Sequence, residues 1–434
     1  MTSTTGVPDP MTDPYDEGRA LKRDADDPLA PFRDEFLVPR HEGRDQAYFC
    51  GNSLGLQPMG TRAAIEAELE DWKDFAVEAH FRGRHPWMPY HELVREHLAE
   101  VVGALPSEVV AMNSLTANLH LMMVSFYRPT AERPAILIER RAFPSDRYAV
   151  ESQIRFHGYD PSDCLIELDG DEPGGTISMD ALERVLDAHG DRIALVLWPG
   201  VQYLTGQAFD LAAIAPIAHR KGAAIGFDLA HAVGNLPLRL HDSHADFAVW
   251  CSYKYLNSGP GAVAGCFVHE RHAHTTRPRF AGWWGHEQAT RFQMGPEFKP
   301  TPGADGWQLS NPPIFALAPL KVSLEVFHRA GMDRLRHKSV ALTGYLEALI
   351  RSRLDAVLEV LTPAQPDRRG CQLSLRVKGE RSAGRALFDH LTAHGVVVDW
   401  REPDVIRVAP TPLYNRQLDC LRFAHEVARW AGAK

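Results

Sequence analysis

The chain has few cysteines, no long apolar run and no surplus of basic residues, and each shortage removes a class of function. Its six cysteines, Cys50, Cys164, Cys251, Cys266, Cys371 and Cys420, are spread over 434 residues without a C-x-x-C pair. They read as buried thiols, which supply neither a disulfide framework nor a zinc site. No stretch approaches the roughly 18 apolar residues of a membrane span, and no basic segment followed by an apolar core opens the chain. A cytoplasmic protein with no membrane partner is expected. Net charge is -9 and the lysines and arginines are dispersed, so the footprint of a nucleic-acid binder is missing and a small-molecule partner is favoured.

What is present is an ordinary globular composition, 44% hydrophobic and 24% charged. Residues 1–30, rich in Pro, Asp and Thr, predict a mobile N-terminal arm. After them, short apolar runs alternate with helical patterns. AILIE from Ala135, IALVLW from Ile193, AAIGFD from Ala223, DFAVWC from Asp246 and AVAGCFV from Ala262 are candidate strands. SMDALERVLDAHG from Ser178 carries a Ser cap, helical apolar spacing and a terminating Gly190, and FDLAAIAPIAHRKG repeats that design with Asp210 and Gly222. Alternation of this kind implies an α/β fold whose mostly parallel sheet carries helices on both faces. Residues 31–326 would form this large domain, and 327–434 a smaller α+β domain that the N-terminal segment touches.

Two strand ends carry chemistry. GFDLAHAVGN finishes an apolar run at Asp228, with His231 three residues on, and DFAVWCSYKYLNSGPG ends at Tyr253 and Lys254. Ligands gather beyond the carboxyl ends of strands in open α/β sheets, so an acid and an amine there face one cleft. Such a pair suits pyridoxal phosphate: the amine forms a Schiff base and the carboxylate holds a proton on the pyridine nitrogen. An exposed lysine beside a capping aspartate fits the spacing equally. EVVAMNSLTANLHLMM gives a strand, a polar turn and a helix beginning near Leu115 and Thr116, a place for a phosphate or for a plain N-cap. Phe143, just after AILIE, is a stacking face or a core aromatic.

The strings YFCGNSLGLQP, NSLTANLHLMM, AFPSDRYAVESQIRFHG, FDLAHAVGN, CSYKYLNSGPG, AGWWGHE, LSNPP and IRVAPTPLYN together resemble the ordered motifs of kynureninases, within the fold-type I pyridoxal-phosphate enzymes. They run from Tyr48 to Asn415. The resemblance implies a hydrolase of tryptophan catabolism that cleaves kynurenine or 3-hydroxykynurenine to an anthranilate and L-alanine. It implies Lys254 as the Schiff-base lysine, Asp228 at the pyridine nitrogen, Phe143 on the ring, and Leu115, Thr116 and Tyr253 at the phosphate, with Tyr253 also a proton donor. Asp146 and His231 match positions near the ring. Ser53, His80, Asn311 and Arg407 match substrate-side positions, Asn311 reaching the cofactor as well. Trp283 matches a cofactor-binding tryptophan supplied by the partner subunit, so a homodimer with its active site at the interface is implied. HFRGRHPW departs from the family between its first His and its final Pro-Trp, and Trp284 stands where many relatives carry Phe.

Rival readings fit less well. GPGAVAG has the wrong spacing for a dinucleotide fingerprint and is followed by a strand-like run. No H-E-x-x-H or H-x-x-E-H motif exists, and His91 and His97 in HELVREHL sit six apart, on different helix faces. HERHAH and HDSH therefore read as surface histidines, and no metal is expected. A cysteine desulfurase needs a nucleophilic thiol on a mobile loop, whereas Cys371 opens an apolar strand pattern. An aminotransferase shares the early chemistry, and a non-catalytic cofactor-binding subunit is the remaining alternative.

Overall fold

In the computed structural model, which describes residues 13–432, the chain opens on helix α1 (Glu17–Ala25). Asp16 caps it by accepting the Arg19 N–H at 3.1 Å. The expected mobile arm is therefore corrected over residues 13–30, and residues 1–12 of it lie outside the described residues. The order comes from partners distant in sequence: Asp24 accepts the N–H groups of Gln417 and Leu418 at 2.7 and 3.0 Å, and Asp27 pairs with Lys338 at 2.7 Å. Helix α2 (Thr61–Phe75) follows.

The main sheet contains β1 (Val109–Ala111), β2 (Ala135–Glu139), β3 (Leu165–Leu168), β4 (Ile193–Pro199), β5 (Ala224–Asp228), β6 (Phe247–Trp250) and β7 (Gly265–Val268). Their order is β1-β7-β6-β5-β4-β2-β3. All neighbours are parallel except those of β7, which runs antiparallel to β6 and β1. Of AVAGCFV, only the last four residues are strand. β2 and β6 are buried along their whole length, as continuous apolar runs are when helices cover both faces. Leu137, Val196 and Phe227 face one core, while Ile136, Leu195 and Val249 face the other.

Helices α3 (Leu115–Phe126), α4 (Pro144–Phe156), α5 (Met179–His189) and α6 (Leu211–Arg220) connect these strands. Ser178 Oγ accepts the Ala181 N–H, and the Asp210 carboxylate accepts those of Ala212 and Ala213, so both sequence-read caps work. Gly222 ends its helix at φ +74°, a conformation that favours glycine.

Next come α7 (Ile314–Ala330) and α8 (Met332–Leu349), then an antiparallel sheet of β8 (Leu358–Val360), β9 (Leu373–Val377), β10 (Asp399–Arg401) and β11 (Val405–Val408) in the order β8-β9-β11-β10. Helix α9 (Arg381–Ala393) packs on it, and α10 (Gln417–Gly432) packs against α1, α8 and α9. Phe327, Ala330 and Leu335 belong to the large core, whereas Leu342 and Leu346 join the second core with Ala20, Ala47 and Phe49. We propose that the two domains divide within α8, a little beyond Phe327, and that the N-terminal segment belongs with the smaller one. No helix among the described residues is long and apolar enough to cross a membrane.

The expectation of surface histidines holds for the exposed His244 and His274 and is corrected for the others. His269 and His272 are buried, His272 Nε2 lies 2.8 Å from Asp246 Oδ1, and His241 Nδ1 lies 3.1 Å from the buried Glu108. A run rich in histidine and charge looks solvated until a buried counter-ion elsewhere in the chain is known.

Candidate active site

β2, β4, β5 and β6 end at one edge of the main sheet, and their last residues open onto one cavity. Glu139, Pro199 and Asp228 line it directly, with Tyr253 and Lys254 just beyond β6. The starts of α3 and α4 close it with Leu115, Thr116, Phe143 and Asp146, and His231 follows Asp228 in the next turn. The sequence-predicted residues at the cofactor ring and phosphate thus come together from separate strands.

Lys254 Nζ lies 5.9 Å from the centre of the Phe143 ring, which meets Tyr203 edge-on at 5.3 Å. Phe143 immediately precedes Pro144 at the first position of α4, and the fixed proline φ sets its exit angle. Ser114 precedes α3 but makes no side-chain bond to that helix's N–H groups. The plain N-cap reading therefore fails, and the first turn is open to an anion. Thr116 Oγ1 and Ser145 Oγ, 2.9 Å apart, tie the two helix starts together.

The carboxylates differ in setting. Asp228 is half-buried and accepts the Ala230 N–H at 2.7 Å. Asp146 is buried, with Oδ1 unpartnered, and burial and the neighbouring Asp228 charge raise its pKa well above the usual range. Burial also lifts Glu139 to about 8. His231 is pushed well below its ordinary value by burial, then by the Lys254 charge, and its Nδ1 has no partner. Burial raises the Tyr253 hydroxyl, which keeps its proton at neutral pH. An amine, a ring-facing carboxylate, an aromatic plate, an open helix start and two orphaned buried polar atoms fit pyridoxal phosphate.

The substrate-side residues are arranged differently. Arg407 is fully buried behind the wall, donating to the Tyr203 carbonyl at 2.8 Å and to Asp399 at 2.6 Å, and Tyr203 lines the cavity. Ser53, His80, Trp283 and Asn311 do not line the cavity of the single chain. His80 Nδ1 sits 3.0 Å from the Val77 carbonyl, Trp283 Nε1 donates to the Arg291 carbonyl at 3.1 Å, and Asn311 is exposed. Ser53 lies in a turn whose Gly55 N–H donates to the Tyr253 carbonyl at 2.9 Å. A Cβ on Gly55 would fall 2.3 Å from the Lys254 carbonyl oxygen, so this approach requires glycine.

Sequence reasoning missed Glu139, Tyr203 and Asp399. Glu139 had a readable signal: it is an acid closing an apolar strand at the same sheet edge as Asp228. All six cysteines are buried, and burial lifts Cys371 to about 12, which leaves no reactive thiol on a loop.

Residues 335–427 match the kynureninase C-terminal domain model. A kynureninase from Stenotrophomonas maltophilia is 67% identical over 423 residues, 97% of this chain and 100% of that protein. One from Xanthomonas euvesicatoria pv. vesicatoria is 64% identical, covering 98% and 100%. The chain belongs to the kynureninase family. Among solved structures similar to it, a cysteine desulfurase from Thermococcus onnurineus superposes with TM-score 0.74 at 17% identity, over 90% of this chain and 95% of that one. A C-DES mutant with glycine covalently linked to its PLP cofactor gives TM-score 0.69 at 18% identity, over 89% and 96%. These likenesses establish the fold-type I architecture expected of the family.

Proposed function

We propose that the chain is a pyridoxal-phosphate-dependent kynureninase, hydrolysing the Cβ–Cγ bond of L-kynurenine or its 3-hydroxy form to an anthranilate and L-alanine. The observation that carries this reading is the convergence of Lys254, Asp228, Phe143 and the open α3 start on one cavity, in a chain 67% identical to a kynureninase. When bound, the cofactor supplies an electron sink for the bonds at the substrate's Cα.

The chain's residues do the rest. Lys254 would hold the cofactor through its amine, and the same amine is the base placed to move the proton at Cα. Asp228 would hold a proton on the pyridine nitrogen of bound cofactor, and Phe143 would offer its ring a stacking face. Tyr253, which keeps its proton, is a donor to Cβ as the Cβ–Cγ bond breaks, while water adding to the γ-carbonyl carries the acyl part away as the anthranilate carboxylate. Arg407 orients the substrate's α-carboxylate.

A homodimer follows from the same reading. Ser53, His80, Trp283 and Asn311 lie outside the single-chain cavity, and the exposed Trp72 and Phe315 rings lie 6.1 Å apart, an apolar patch of large side chains on the surface. A second copy covering that face would bring the missing residues to the site. Six unpaired buried thiols suit a reducing cytoplasm.

The deciding experiment incubates cofactor-saturated protein separately with both substrates and measures anthranilate and alanine. Equimolar products are expected. Saturated protein that yields neither product overturns the proposal.

A further inference from the structure

Behind the cavity wall, two arginines share one carboxylate. β10 and β11 are antiparallel with Asp399 directly opposite Arg407, and side chains at opposed positions share a face of the sheet. Arg401, two residues along from Asp399, joins that face. The register thereby assembles an Arg–Asp–Arg group. Asp399 Oδ2 accepts Arg407 Nη2 at 2.6 Å, and Arg401 approaches through Nε at 2.9 Å and Nη2 at 3.1 Å.

The two cations are not equivalent. The Arg407 side chain is 1% exposed and held on a second side by the Tyr203 carbonyl, while the buried Nε of each arginine makes no hydrogen bond. The Arg401 side chain is 34% exposed. Two guanidinium charges against one carboxylate leave one positive charge in excess, which a single substrate carboxylate would offset. A buried guanidinium with spare donors is costly unless an anion completes it, and its plane must be fixed beforehand to grip both carboxylate oxygens.

We propose that Asp399 is a positioning residue for substrate: it fixes the plane of Arg407 and holds Arg401 beside it, so that the pair receives the α-carboxylate. This rests on the reading of Arg407 as the carboxylate-binding residue of an amino-acid enzyme.

The test uses the holoenzyme and its Asp399→Asn, Asp399→Glu and Arg401→Gln variants. Carboxylate contact persists from bound substrate to transition state, so Asp399→Asn should raise KM for kynurenine roughly tenfold or more while kcat falls less than about threefold. Asp399→Glu, which restores the charge on a longer arm, should recover part of that loss. A second readout is independent of turnover. Titrating the cofactor's absorbance with L-alanine and with ethylamine should show alanine binding weakened about tenfold by Asp399→Asn, with the amine unaffected, because only alanine carries the carboxylate. Arg401→Gln changes a partly exposed side chain and covers the case in which Asp399→Asn does not fold. It should weaken alanine binding about threefold and spare ethylamine.

Unchanged KM and unchanged alanine binding in folded Asp399→Asn would overturn the proposal, as would equal weakening of alanine and ethylamine. If Asp399→Asn does not fold, unchanged alanine binding in Arg401→Gln overturns it. Wild-type protein that binds alanine but forms no anthranilate would sink the kynureninase reading alone, and one whose absorbance ignores alanine would sink both.

Discussion

Asp228 and Glu139 both end strands at the same edge of the main sheet, yet their surroundings differ. Asp228 is half-buried and anchored by a backbone N–H, which fixes its carboxylate at the cavity where the proposed reading puts the pyridine nitrogen. Asp228→Asn should still take up cofactor but lose at least about 100-fold in kcat, because the proton it holds stabilises charge in the transition state. Near-normal turnover in cofactor-saturated Asp228→Asn would remove that role. Glu139 is an acid whose pKa burial raises from 4.5 to about 8. A raised acid stabilises the folded chain fully below the unfolded value and loses that contribution as pH rises toward the folded one. Cofactor-free protein should therefore weaken between pH 5 and pH 8, and Glu139→Gln should remove at least about 1 kcal/mol of that loss, read by urea denaturation at both pH values. An identical slope in the variant would show that Glu139 ionises freely. Asp228 and Lys254 were legible because polar residues closing apolar strands point to the functional edge of the sheet. Asp399 was not, because its meaning depends on a cross-strand partner that local sequence does not name.

At the scale of elements, local signals and distant ones separate cleanly. The caps at Ser178 and Asp210 and the breaks at Gly190 and Gly222 lie within the segments they terminate, so helices α5 and α6 could be read directly. The strand cores at Ala135, Ile193 and Phe247 were equally readable from their apolar runs. Helix α1 could not be, since its composition is polar and its order comes from α10. Asp24 reaches across nearly the whole sequence to accept two first-turn N–H groups of α10, acting as that helix's cap from outside. Asp24→Ala should cost about 1 kcal/mol, the usual penalty for a lost cap, and lower Tm by roughly 1 °C in a chain of this size. Thermal melts of the holoenzyme check this. A Tm unchanged within error would mean that water replaces the carboxylate without loss.

For the whole molecule, the decisive matter is which residues the single chain leaves outside its own cavity. The residues assigned to the cofactor ring and phosphate converge within one chain, whereas Asn311 is exposed on a loop before α7, far in sequence from the Lys254 segment. A motif match assigns Asn311 to the site but is silent about which copy supplies it. If the site is shared, an Asn311 substitution damages the neighbour's site while a Lys254 substitution damages its own. Lys254→Ala and Asn311→Ala proteins should then each be nearly inactive as pure dimers. Random mixing of equal amounts after reversible dissociation makes about half the dimers hybrid, and each hybrid has one doubly damaged site and one intact site under twofold symmetry. Activity should recover to about a quarter of wild type, since half the dimers carry one good site of two. Light scattering on the mixture verifies that dimers are present. Recovery to that level would place Asn311 in the partner's site, whereas a dimeric mixture that stays inactive would mean that Asn311 serves the cavity of its own chain and must move to reach it.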